Sequence, residues 1–197
     1  ATSDGLNVFN GTTFRSYGCS YHSPREDGIT ALNALSLLQH KDGQKIWVST
    51  QSSTLLLFDP ETETFRSIEL ANRSDTLPPP NLCFSLTYDT NGQLWIATDS
   101  GIFVYDEAKD ECRIWSKANS SLQSDIIQCV YCDSYGTIWI GGESGLYRFN
   151  ATKEEFIPAK VDTKTFPKDG SLHIATIMES GGEHLWVGTW TNGLAYY

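Results

Sequence analysis

Apolar and polar residues alternate along this chain in short runs, and no stretch sustains the 3.6-residue period of an amphipathic helix. The stretch after Asn81 shows the pattern best. Cys83 to Asp89, Gln93 to Thr98, Ile102 to Asp106 and Cys112 to Ser116 each read as a strand. Between them lie Asn91-Gly92, Asp99-Ser100-Gly101 and Glu107-Ala108-Lys109-Asp110, which supply hairpin turns. The pattern predicts four short antiparallel strands in about 45 residues.

That unit recurs. Trp47, Trp95, Trp139 and Trp186 are separated by 48, 44 and 47 residues. Each sits in one phrase: Ile46-Trp47-Val48-Ser49-Thr50, Leu94-Trp95-Ile96-Ala97-Thr98, Ile138-Trp139-Ile140-Gly141-Gly142 and Leu185-Trp186-Val187-Gly188-Thr189. Gly101-Ile102, Gly145-Leu146 and Gly193-Leu194 follow three of the four; the first copy departs with Ser53-Thr54-Leu55. An aromatic comes next (Phe58, Tyr105, Phe149, Tyr197), then Asp59, Asp106 or Asn150 where the chain continues. A turn precedes each Trp, at Asp42-Gly43, Asp89 to Gly92, Asp133 to Gly136 and Glu179 to Gly182.

Four-stranded units at this spacing predict an all-β fold, a β-propeller segment of antiparallel blades packed face to face. Alternation puts Trp95 and Ala97 on one face of the strand, Ile96 and Thr98 on the other. A large ring followed two residues later by a small residue lets neighbouring blades interlock. The Gly opening the third strand predicts a positive φ, and the Asp or Asn after the aromatic predicts a side-chain turn cap. Blades are expected at about 29–70, 82–118 and 126–160, with partial blades at 1–20 and 172–197. Ala1 to Leu6 repeats the register of Ala97 to Ile102, so the chain is expected to start in mid-blade and to be an open arc of a larger, seven-bladed propeller. A closed four-bladed ring is the alternative.

Charge and cysteine content narrow the partners. The 197 residues carry a formal net charge of −10, and no basic cluster is segregated, which argues against nucleic acid and anionic membrane as partners. No apolar run is long enough to span a bilayer. Cys129-Val-Tyr-Cys132 is a CxxC, but it lies in a strand-like run with no second ligand set, so it reads as structural rather than redox-active or metal-binding. No cofactor and no metal site is expected.

The repeat resembles the two-component regulator propeller repeat. Its clearest copy runs from Asp133-Ser134-Tyr135-Gly136 through Ile138-Trp139-Ile140-Gly141 to Gly145-Leu146 and Phe149-Asn150. WD and kelch repeats fit less well. The resemblance implies a periplasmic sensor region of a hybrid two-component histidine kinase of Bacteroidetes, the ectodomain of an inner-membrane protein. It implies further blades in the same chain, a homodimer in the full-length sensor and a response to oligosaccharide fragments. The kinase itself lies outside this sequence, so the segment is expected to be non-enzymatic.

Because the repeated residues serve packing, ligand contacts are expected in the irregular loops. The loops between second and third strands share a face with the blade-joining loops. That face should hold Gln51 to Ser53, Asp99-Ser100, Glu143-Ser144 and Trp190 to Asn192. Trp190 is an additional aromatic in a loop with an inserted residue, and an exposed indole can stack on a sugar ring. Trp190, Asn192, Tyr21, His22 and Arg25 are the candidate ligand residues. Pro78-Pro79-Pro80 reads as a stiff connector. The sequons at Asn10, Asn72, Asn119 and Asn150 are read as turn residues or unmodified sites. A propeller lyase or lactonase is the competing reading. It would need histidines converging on the axis, and of His22, His40, His173 and His184 only His173 begins an inner strand. A purely structural interaction propeller is the third.

Overall fold

The computed structural model describes residues 5–17, 33–70, 78–161, 172–181 and 184–197. These residues form strands and no helix. A two-stranded sheet, β1 (Leu6–Phe9) and β2 (Phe14–Tyr17), comes first. Three four-stranded antiparallel sheets follow: β3 (Ala34–Gln39), β4 (Ile46–Thr50), β5 (Thr54–Asp59) and β6 (Thr64–Glu69); β7 (Cys83–Tyr88), β8 (Leu94–Thr98), β9 (Gly101–Asp106) and β10 (Glu111–Trp115); β11 (Ile127–Cys132), β12 (Ile138–Gly142), β13 (Gly145–Asn150) and β14 (Glu155–Ala159). The last sheet has three strands, β15 (Ile174–Ser180), β16 (His184–Thr189) and β17 (Leu194–Tyr196). We call the five sheets blades one to five. β1 pairs with β2 and β17 with β16, so the blades form an open arc rather than a closed ring.

Apolar seams join successive blades. Trp47, Leu55, Leu57 and Ile68 of blade two meet Leu94, Ile96, Phe103 and Tyr105 of blade three. Trp95, Ala97 and Val104 of blade three meet Ile138, Ile140 and Tyr147 of blade four. Trp139 and Leu146 face Ile174, Leu185 and Val187. Thus the repeated Trp points toward the following blade, and the strand's opposite face points to the preceding one. Trp47, Trp95 and Trp139 are buried, whereas Trp186 on the terminal blade is half-buried.

The first strands β3, β7, β11 and β15 adjoin one another in succession and form the inner edge of the arc. Each carries a bulge at the same place, skipping Leu35, Phe84, Gln128 or Ala175. The bulge bends the strand and re-aims the extra side chain. Ser85 ties two inner strands together: its Oγ donates to the Val130 carbonyl at 3.4 Å and accepts from the Val130 N–H at 3.3 Å.

Turn chemistry follows the repeat. Gly101 sits at φ 109°, and a Cβ there would strike the Trp115 carbonyl, so the position demands glycine. Gly141 faces Ile174 and Cys129 so closely that a side chain would collide with both; it is the dimple that receives the next blade. Asn10, Asp59, Asp106 and Asn150 each accept two backbone N–H groups of the following turn. In blade two the missing Gly is replaced by one extra residue. Thr50 Oγ1 donates to the Thr54 carbonyl at 2.7 Å, the role Thr98 Oγ1 plays toward Gly101 at 2.9 Å. The longer loop closes without any left-handed residue.

Gly43, Gly92 and Gly136 donate back to the carbonyls of His40, Asp89 and Asp133 respectively. The turn expected at Asp42-Gly43 is present, and within it His40 holds the position of Asp89 and Asp133. That blade has one residue more between the turn and its Trp, which hides the shift in the sequence.

Candidate functional site

The loops between second and third strands do share a face with the blade-joining loops, and backbone bonds tie them. The N–H groups of Gln51, Asp99, Glu143 and Trp190 donate to the carbonyls of Asn33, Leu82, Ile126 and His173 at 3.0, 3.2, 3.3 and 3.0 Å. These four residues are equivalents, and three of their side chains turn back on their own blade. Asp99 accepts from the Asn81 and Leu82 N–H groups at 2.9 and 3.2 Å. Gln51 accepts from Asn33 Nδ2 at 2.9 Å, and Glu143 accepts from Ser124 Oγ at 3.2 Å.

Trp190 breaks this rule. Its indole N–H donates to Gln128 Oε1, the bulge side chain of β11 on the neighbouring blade. The ring nevertheless stays 67% exposed. It is an aromatic plate held at one edge, beside the inner rim of the arc. Asn192 lies in the same loop, its N–H bonded to Thr189 Oγ1 at 2.9 Å. The structure thus brings together Trp190, Asn192 and Gln128, a residue that sequence reasoning missed. Its signal was available only as the fixed offset from the bulged strand. Tyr21, His22 and Arg25 lie outside the described residues.

The other candidate chemistry is dispersed. His40 is buried in the seam between blades two and three. His173 precedes β15, and His184 stacks on Tyr196 with ring centroids 4.8 Å apart. Cys129 is buried against Ile174, and burial pushes its thiol up to about 12. Cys132, three residues along the same strand, faces the opposite seam. Such a separation in an extended strand spans ~10 Å, beyond the Cα distance of a disulfide, so the CxxC cannot close on itself. Cys83 is likewise pushed up to about 12, chiefly by burial and further by the nearby Asp99 carboxylate. Neither buried thiol is a nucleophile at neutral pH. Among the described residues no cluster of His, Cys, Asp and Glu is arranged to hold a metal.

The seams carry a second polar system that the sequence reading did not single out. Arg15, Arg66 and Arg113 occupy one register position on β2, β6 and β10. Each reaches the next blade's outer turn: Arg15 pairs with Glu63, Arg66 with Glu107 at 2.9 Å, Arg113 with Glu154. Blade four has Ile157 there instead.

The seam between blades two and three is densely filled. His40 Nε2 lies 2.8 Å from Glu107 Oε2, and its Nδ1 accepts from the Asp42 N–H at 3.2 Å. Trp47 has no Asp below it, so its indole donates across the seam to the Tyr88 hydroxyl at 2.6 Å. In blades three and four Trp95 and Trp139 donate within the blade, to Asp89 at 3.1 Å and Asp133 at 2.7 Å. Burial alone would raise the Glu107 carboxyl. The His40 hydrogen bond and the charges of Lys41 and Arg66 outweigh it and hold the group below the usual range. Backbone N–H groups of Lys45 and Gln44 hold Asp42 well below that range too.

A stack of four-stranded antiparallel blades whose repeated residues pack one blade on the next is a β-propeller segment. Residues 121–144, which contain β11 and β12, match the two component regulator propeller family model. No curated protein matches the chain. Among solved structures, it resembles an extracellular domain assigned to a hybrid two component system from B. thetaiotaomicron, at 19% identity and a TM-score of 0.69 over 99% of this chain and 31% of that one. It also resembles PorZ, a surface component of the type-IX secretion system of Porphyromonas gingivalis (15% identity, TM-score 0.70, 98% and 30% covered). A third is the virginiamycin B lyase of Staphylococcus aureus (12%, 0.69, 99% and 63%). The chain spans about a third of the first two and under two thirds of the lyase. At these identities the likeness establishes the propeller fold.

Proposed function

We propose that this chain is a non-enzymatic, ligand-sensing segment of an extracytoplasmic two-component sensor propeller, and that it recognises carbohydrate fragments through its loop face. The observation that carries the reading is Trp190. Three equivalent side chains are spent on their own loops, while this one is an exposed ring anchored across a blade boundary. A tethered indole offers a flat apolar surface with little conformational entropy left to lose, which suits the C–H face of a sugar. Asn192 would supply a polar contact, and Tyr21, His22 and Arg25 are proposed as further ligand residues. The repeat family supports the sensor reading, as does the placement of His40, His173 and His184 in three separate environments rather than around the axis. The sensor works in this reading as a homodimer, with further blades of the same polypeptide covering the two end faces of the arc.

The test is a glycan screen on the full-length ectodomain by calorimetry, repeated with Trp190→Ala. Saturable binding to an oligosaccharide that weakens by about tenfold or more in the variant agrees with the proposal, since loss of an aromatic platform costs on the order of 1–3 kcal/mol. Binding to no glycan, or binding indifferent to the substitution, overturns it.

A further inference from the structure

The seam between blades two and three differs from the one between blades three and four. Blade three packs on blade two through Glu107, which reaches into the seam to His40, Lys41 and Arg66. Register places Ala151 of blade four at the position of Glu107, and Asp89 at that of His40. Phe149 replaces Tyr105, whose hydroxyl donates to Asp110 at 2.9 Å. The same space between blades three and four is therefore unplugged. It is a cleft of about 410 Å³, on the face opposite Trp190.

Its lining is two-sided. Trp95, Val104, Ile138 and Phe149 form an apolar floor, and Trp115 adds an aromatic wall. Around the mouth stand Asn91, Gln93, Lys109, Arg113 and Glu154. Two ion pairs stand there: Arg113 with Glu154, and Lys109 with Asp106 at 2.9 Å. Asp89 accepts from two backbone N–H groups and the Trp95 indole. The lining holds Asp89, Asp106, Glu111 and Glu154 against only Lys109 and Arg113, so an added anion is repelled. Of the two carboxylates outside those ion pairs, Asp89 is spent on three hydrogen bonds and Glu111 is exposed, so neither is a buried carboxylate left to hold a cation.

We infer that this inter-blade cleft is a second ligand site, and that it takes a neutral polyhydroxylated ring such as an uncharged mono- or disaccharide. The volume falls within the range of small-ligand pockets, ~300–1,000 Å³. An apolar floor under a rim of donors and acceptors matches a ring with a C–H face and a hydroxyl edge. The ligand would stand where Glu107 stands in the neighbouring seam. This inference extends the carbohydrate reading above but uses different residues on the opposite face, so the two can fail separately.

The test is a titration of the protein with cellobiose, lactose and maltose, and with glucuronic acid and glucosamine as charged counterparts, followed by tryptophan fluorescence and calorimetry. The expected result is a saturable response to a neutral sugar. Ala151→Glu, which restores the plug at an exposed position, should lower that affinity by at least about tenfold, as should Gln93→Ala at the rim. Thermal melts establish that both variants are folded; if Ala151→Glu does not fold, Gln93→Ala decides the matter. No response to a neutral sugar overturns the inference, as does a response confined to the charged sugars. A response that survives both cleft substitutions and disappears with Trp190→Ala assigns the ligand to the loop face instead, and overturns the cleft while sparing the proposal above.

Discussion

Two seams built from one repeat have been put to different use. Between blades two and three, Glu107 and His40 fill the outer part of the seam, and Trp47 reaches across to Tyr88. Between blades three and four, Asp89 satisfies Trp95 from within its own blade, and Ala151 leaves the space open. The apolar part of each seam is alike. The difference teaches that the repeat specifies blade packing through its inner and middle strands, while the outer turn is free to become either a polar clasp or a cleft.

The largest expected effect lies in the Trp pair. Trp47→Ala removes a wholly buried ring and leaves a closed cavity, at a cost of about 4–5 kcal/mol. Trp95→Ala enlarges the cleft that the ring already lines, so about 3 kcal/mol is expected. Urea denaturation of both variants measures the gap; equal losses would mean that the two seams are equally sealed. Next in size, Glu107→Ala strips His40 and Arg66 of their shared partner and should cost about 1–3 kcal/mol. Glu154→Ala removes an exposed pairing and should stay within about 1 kcal/mol. If both cost the same, the clasp is no more cohesive than the rim of the cleft.

Acid should single out the clasp. Glu107 has a folded-state pKa below its unfolded value, so its contribution is present above the ordinary glutamate pKa, ~4.3, and is lost as pH falls through the depressed value. Thermal melts from neutral pH down to pH ~3 should therefore show a steeper loss for the native chain than for Glu107→Gln. Parallel profiles would remove the clasp from the account. The smallest effect is chemical rather than energetic. Cys83 and Cys129, with thiols pushed up to about 12, should react with iodoacetamide only as fast as the blades open. Half-exposed Cys132 should react ahead of them; rapid labelling of Cys129 in the folded chain would contradict its burial against blade five.

Much of the fold was legible because one short phrase, read at four places, carries strand period, turn chemistry and packing together. The strands, the positive φ at Gly101 and the turn caps at Asp59, Asp106 and Asn150 all follow from it. The turn at Asp42-Gly43 was legible, but His40's place in it was not, because blade two has one more residue between turn and Trp. The arginine series at 15, 66 and 113 lay in plain view on the repeat period. Its meaning did not, because each partner belongs to the following blade. Trp190 was singled out correctly as irregular, yet its anchor on Gln128 sits 62 residues away.

By itself the sequence determined what depends on neighbours along the chain: strand length, hairpin turns, which face of each strand is apolar, and the number of strands in a blade. These are short-range matters of backbone sterics and side-chain alternation, and a local pattern suffices to dictate them. The tertiary structure alone decided what forms between blades. Whether a seam closes over Glu107 or opens over Ala151, and whether an indole turns inward or stands exposed against Gln128, depends on side chains about one repeat apart or more. Only the stacking of blades brings those into contact.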